Sequence, residues 1–175
     1  MKNTPTIGDL IAERLGRREA LFGLDAAPTA LAELLTFSAA RAELVATVIR
    51  PALDRGELVL CDRFTDATFA YQGHGRAFDL DVLAQLERWV QFQHGATLLQ
   101  PDLTVWFALD PAIAAQRLAD ARVPDRFESQ PQAFFQAVHQ GYAQRAEAGP
   151  GRFITLDAAQ ERHQVWQQLT RTLIQ

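Results

Sequence analysis

Three groups of residues have types and spacings that suit phosphate and nucleoside chemistry. The first is Asp62 and Arg63, which directly follow the apolar run "LVLC" and open the stretch "DRFTDATFAYQGHGR" (62–76). In open α/β sheets ligands sit beyond the carboxyl ends of the strands. A planar guanidinium there offers a phosphate two parallel charge-assisted hydrogen bonds. The alternative is an Asp-Arg pair that caps the strand end. The second group is Phe37 and Arg41 in "FSAAR". A four-residue spacing puts ring and guanidinium on one helix face, where the ring can stack on a base and the arginine can donate to a carbonyl. A core phenylalanine beside a solvated arginine is the plainer alternative. The third is Arg117, Arg122 and Arg126, around Pro124 in "DARVPDRFE". Arginines on such a segment could close over phosphates as a lid and neutralise charge during a transfer. A solvated turn balanced by Asp125 and Glu128 would look the same.

Composition narrows the setting. The 175 residues are 48% hydrophobic and 22% charged, with net charge −4, which fits one globular domain with a core. There is no general positive field for nucleic acid or an anionic membrane, so an anion site must be local. The one lysine is Lys2 and every other basic residue is arginine, so no lysine is available for catalysis further along. Cys61 is the single cysteine, which excludes an internal disulfide and a thiolate zinc site. His74, His94, His139 and His163 show no ligand spacing. No run is long and apolar enough for a membrane span, and no signal pattern follows Met1. A cytoplasmic enzyme or binding domain is the expected class.

The elements that must position these groups alternate. "ELVLC" (57–61), "LTVWFAL" (103–109) and "RFITL" (152–156) are continuous apolar runs of the kind covered on both faces in a parallel sheet. A helix is expected over 29–53, starting at Pro28 and Thr29, bending or ending near Pro51, and stopping at Gly56. A second is expected over 79–95, with Asp79 as cap and Gly95 as stop. A third covers 110–122, capped by Asp110 with Pro111 at its first position. A fourth runs from about Pro131 to Ala148 and a fifth from Ala159 to Ile174. Strands alternating with helices predict an α/β fold with right-handed crossovers.

Taken in order, "FxAAR", "G-x-x-V-x-x-D-R-F", "AYQGxGR" and "PDLT…LDP" resemble thymidylate kinase of the bacterial type, from about residue 30 to the C-terminus. The resemblance implies a P-loop-kinase-type three-layer α/β fold, one domain over 1–175, and transfer of phosphate from ATP, with Mg2+, to thymidine monophosphate (dTMP). Residue by residue, it implies that Phe37 stacks on thymine and Arg41 donates to a thymine carbonyl. Arg63 binds the acceptor phosphate, and Asp62 orients Arg63 or metal-bound water. Thr68 and Gln72 reach the pyrimidine edge or its solvent network. Tyr71 packs where a ribose would carry its 2′-hydroxyl. Arg117, Arg122 and Arg126 match the arginine-bearing lid, about 117–128. Arg76 matches the motif, whereas His74 stands where the pattern usually has glycine. Gly73 and Gly75 let the loop bend back on the base site. Family members pair through helices, so a homodimer through the faces around 29–50 and 79–95 is expected, with no nucleic-acid or membrane partner.

One part of the pattern is absent. A P-loop needs G-x-x-x-x-G-K-[ST], and these 175 residues contain none; nor do they contain the family's Arg-Glu-Pro-Gly-Gly segment. "NTPTIGDLIAERL" resembles the piece that follows it, so the chain is expected to begin just past the family's second strand. The central P-loop strand, shared neighbour of 57–61 and 103–109, is then missing, and a coupled ADP assay on residues 1–175 is expected to show no turnover. A truncated gene model, a natural remnant that binds or senses pyrimidine nucleotides, or a strand supplied by another chain would each account for this. A related kinase acting on another deoxynucleoside or nucleotide is a further alternative.

Overall fold

The computed structural model describes residues 29–92, 97–121 and 130–174. They group into two compact units. One contains residues up to Phe64 together with Ala84–Leu99, and the other contains Thr65–Leu83 and residues from Gln100 onward.

The first unit is built on a long helical run. α1 (Ala30–Leu44) starts where expected: Thr29 is extended, and its hydroxyl accepts from the Ala32 N–H at 3.2 Å. Pro51 does not end the run. The helix widens into a π-type segment, Val45–Ile49, and continues as α2 (Arg50–Asp54). The Arg50 N–H reaches back to the Val45 carbonyl, which is the wider ring that lets a helix pass a residue with no N–H. The end is a Schellman turn. The Gly56 N–H donates to Leu53 (2.8 Å) and the Glu57 N–H to Ala52 (3.0 Å), with Gly56 at φ 73°. Leu34, Val45, Ile49 and Ala52 are buried. Ser38, also buried, satisfies its hydroxyl on the Leu34 carbonyl.

The expected strand at 57–61 does not form. Residues 57–61 join no ladder among the described residues, and Leu58 and Leu60 are each 96% exposed. A strand exists only through its neighbour's backbone groups, and no described strand lies beside this run.

The second unit holds the sheet. β1 (Thr104–Ala108) and β2 (Phe153–Asp157) pair in parallel, in the register Thr104 with Phe153 through Ala108 with Asp157. Between them lie α5 (Pro111–Ala121) and α6 (Gln132–Ala148), and α7 (Arg162–Ile174) follows β2. The Asp110 carboxylate caps α5 through the Ala112 N–H at 2.7 Å. Asp79 caps α4 (Leu80–Gln91) through the N–H groups of Asp81 (2.8 Å) and Val82 (3.2 Å). The expected stop at Gly95 and the break at Pro124 lie outside the described residues.

The stretch expected as a loop is helical. α3 (Thr65–Thr68) runs into a π-type segment, Phe69–Gly75. Its glycines serve close approach rather than bending. A Cβ on Gly73 would stand 2.7 Å from the Leu80 side chain, and one on Gly75 would stand 2.6 Å from the Phe134 ring. Opposite, a Cβ on Gly141 of α6 would lie 2.9 Å from the Ala70 Cα. Phe69, Ala70, Leu83, Val138 and Leu156 are buried in this unit.

Candidate functional site

In the first unit, α1 carries Phe37 and Arg41, one turn apart and both half-buried. The Arg41 guanidinium lies 5.5 Å from the centre of the Phe64 ring. Its charge also reaches Cys61. Burial pushes the Cys61 thiol up, Asp62 adds to that, and Arg41 pulls the other way. Arg41 is therefore brought to the segment that carries Asp62 and Arg63.

Arg63 itself is exposed and sits at φ 66°. A non-glycine residue in this left-handed region is strained, and such strain collects at functional sites. The Cys61 thiol donates to the Arg63 carbonyl at 3.4 Å, across the turn. Asp62 is likewise exposed.

In the second unit, Thr68, Tyr71 and Gln72 share the helical segment. Thr68 and Gln72 are buried and Tyr71 is half-buried. The Tyr71 ring meets Phe134 (6.1 Å between centroids) and Tyr142 (6.5 Å) edge-on. Tyr142 stacks in turn on Trp106 of β1 at 5.9 Å, and His139 lies 5.1 Å from the same indole. Tyr71 is thus backed by aromatic rings that extend to the sheet. The Arg76 guanidinium lies 5.9 Å from the centre of the Phe134 ring. His74, the departure from the family pattern, is accommodated by Gly141. A Cβ there would come within 2.8 Å of the imidazole, so the bare backbone makes room for the ring.

Arg117 has two partners of its own. Its guanidinium donates to the carbonyls of Ala158 (2.8 Å) and Ala159 (2.6 Å), just past β2. To reach a phosphate it would have to release both. Arg122 and Arg126, with most of the expected lid, lie outside the described residues.

Sequence reasoning missed a buried ionic cluster. Asp66, 4% exposed, accepts from both Arg152 terminal nitrogens (2.7 and 2.9 Å), from Arg145 Nε (2.8 Å) and from the Thr104 hydroxyl (3.2 Å). Arg152 also donates to Thr104 Oγ1 at 2.9 Å. Arg145 lies over the Phe69 ring at 4.2 Å. Burial alone would raise the Asp66 carboxyl; the Arg152 hydrogen bonds and the Arg145 charge outweigh it and hold the group below its ordinary value. The stabilisation from this lowered value is present above the unfolded carboxyl's pKa and is lost as pH falls through the folded one. No local spacing announces the cluster, because its partners lie 38 to 86 positions away.

The described residues contain no group of three or more His, Cys, Asp or Glu that could hold a metal ion. They contain no helix long and apolar enough to cross a membrane.

The thymidylate kinase family profile matches residues 3–169. A thymidylate kinase of Paracidovorax citrulli is 58% identical over 153 residues, covering 86% of this chain and 69% of that protein. One from a Polaromonas species is 49% identical over 166 residues, covering 86% and 74%. The crystal structure of thymidylate kinase from Ehrlichia chaffeensis superposes with a TM-score of 0.66 at 27% identity, over 96% of this chain and 76% of that one. The fold of the described residues is the one this enzyme has, and with a profile match spanning residues 3–169 the chain belongs to the thymidylate kinase family.

Proposed function

We propose that the chain serves the ATP-dependent phosphorylation of dTMP to dTDP, in the cytoplasm, and that it carries the dTMP side of that reaction. The observation that carries this is the family match over residues 3–169, which includes every motif residue named above. In the first unit, Phe37 stacks on the thymine and Arg41 donates to one of its carbonyls. Arg63 takes the dTMP phosphate, and its strained backbone agrees with a residue held for a task rather than for stability. Asp62 orients Arg63. In the second unit, Thr68 and Gln72 serve the pyrimidine edge. Tyr71 closes the space a 2′-hydroxyl would need, and the edge-on Phe134 and Tyr142 rings keep it from yielding. Arg117, Arg122 and Arg126 are the lid candidates for charge developing in the transfer.

ATP and Mg2+ belong to this activity as substrate and metal. These 175 residues contain no G-x-x-x-x-G-K-[ST] of the kind that cradles ATP phosphates. Binding of the acceptor can be tested on the 175-residue chain by isothermal titration with dTMP, its ribose analogue and deoxycytidine monophosphate. dTMP is expected to bind about tenfold or more tightly than either analogue, the scale of losing one well-placed polar or packing contact. Equal affinity for all three overturns the assignment of Arg41, Thr68 and Tyr71.

We also propose that two copies pair through the helix faces around 29–50 and 79–95.

A further inference from the structure

We propose that Asp66 is a positioning residue for the nucleoside-binding segment Thr68–Gln72, acting through Arg152 and Arg145. This rests on the assignment of Thr68, Tyr71 and Gln72 to the nucleoside.

Asp66 lies in the single turn of α3, which continues without a break into the π-type segment that carries Tyr71 and Gln72. Its carboxylate is held from three places: Thr104 opens β1, Arg152 directly precedes β2, and Arg145 sits near the end of α6. A two-pronged guanidinium–carboxylate pair fixes rotation as well as distance. The first turn of the segment is therefore pinned in both respects to the sheet and to α6. Arg145 adds a second hold, since the guanidinium that meets Asp66 also covers the Phe69 ring one turn on.

Further along, the segment has no slack. The Phe78 N–H closes onto the Gln72 carbonyl at 3.0 Å. Gly73 and Gly75 press against Leu80 and Phe134, and Ala70 presses against Gly141. A shift of the first turn must then pass to Tyr71 and Gln72. A buried carboxylate with two arginines is a poor choice for stability alone, because apolar residues of similar volume do as well or better. What the ions add is a defined geometry, and the element they define is the one that carries the nucleoside contacts.

The test uses Asp66→Asn, Arg152→Lys and Thr104→Val in the 175-residue chain. Each variant is titrated with dTMP and with thymidine at a temperature where circular dichroism shows it folded. Asp66→Asn and Arg152→Lys are expected to weaken both ligands by the same factor, about tenfold, the scale of a binding group displaced by a fraction of an ångström. Equal loss for the two ligands places the effect on the nucleoside segment, whereas an effect through Arg63 would spare thymidine. Hydrogen exchange of residues 68–75 in the ligand-free chain is expected to quicken in both variants while β1 and β2 keep their protection. If Asp66→Asn does not fold, Arg152→Lys and Thr104→Val decide. Folded variants that bind both ligands within about twofold of the parent chain overturn the proposal. If the parent chain binds neither ligand, the assignment of the nucleoside site falls, and exchange at 68–75 decides the positioning role: unchanged protection overturns it.

Discussion

Arg63 sets stability against function within one residue. Its φ of 66° costs an L-residue about 1–2 kcal/mol relative to glycine. Glycine in turn gives back about 0.4–1 kcal/mol through a more flexible unfolded chain. Arg63→Gly is therefore expected to leave stability unchanged or raise it, by at most about 1.6 kcal/mol. Binding should respond the other way. A hydrogen bond to a charged group contributes about 1.5–3 kcal/mol, so the variant should bind dTMP some ten- to a hundredfold more weakly and thymidine as before. Thermal melts with paired titrations check both halves. A clear loss of stability, or equal loss of both ligands, would show that Arg63 shapes the turn rather than holding the phosphate.

At the scale of elements, the glycines of the second unit make the packing of α6 against the 65–75 segment possible, and they do so differently from Gly56. Gly141→Ala brings a methyl to 2.9 Å from the Ala70 Cα and 2.8 Å from the His74 ring. The imidazole can swing aside but the backbone cannot. Overpacking of this kind costs about 1–3 kcal/mol, which exceeds the roughly 1 kcal/mol that alanine gains over glycine inside a helix. Gly56→Ala meets no atom within 4 Å, yet its φ of 73° still costs about 1–2 kcal/mol. Urea unfolding should find both variants destabilised. Replacing His74 by Gly should recover part of the loss in Gly141→Ala and none in Gly56→Ala. The same elements show how far the sequence was legible. Caps at Thr29, Asp79 and Asp110 and the Gly56 stop are local chemistry and were read correctly, as were the apolar runs that became β1 and β2. The run at 57–61 has the same local pattern and forms no strand, because strand formation depends on a neighbour that local pattern does not report. Residues 65–75 read as a loop that bends back at Gly73 and Gly75; the segment is helical instead, and those glycines lie against Leu80 and Phe134. In the site, Arg41 and the Asp62–Arg63 segment do come together, since each is set by its own helix or turn. The Asp66 cluster was invisible because only tertiary structure assembles it.

For the whole molecule, the distribution of apolar surface argues for pairing. α1 buries Leu34 and Ser38 on one side, and Val45 and Ile49 continue the buried side beyond it. On the flank of that same stripe Leu31 is 52% exposed and Leu35, one turn on, is 48% exposed; Val48 further along is 54% exposed. An apolar stripe covered on only part of its width calls for cover on the rest. The same unit exposes Trp89 and Phe92 at the end of α4. Large exposed aromatic and aliphatic side chains of this kind mark interaction surfaces, and a stable pair buries about 1,600 Å² in all, which residues from two helices can supply. Sedimentation velocity is expected to show a species of twice the 19.5 kDa chain mass. Leu35→Glu and Trp89→Glu, each at an exposed position, are expected to convert it to monomer without lowering the melting temperature of the folded chain by more than dissociation itself accounts for. dTMP affinity measured on those monomers then separates pairing from substrate binding. A parent chain that sediments only as monomer over the micromolar range refutes the pairing and leaves the proposed nucleotide site untouched.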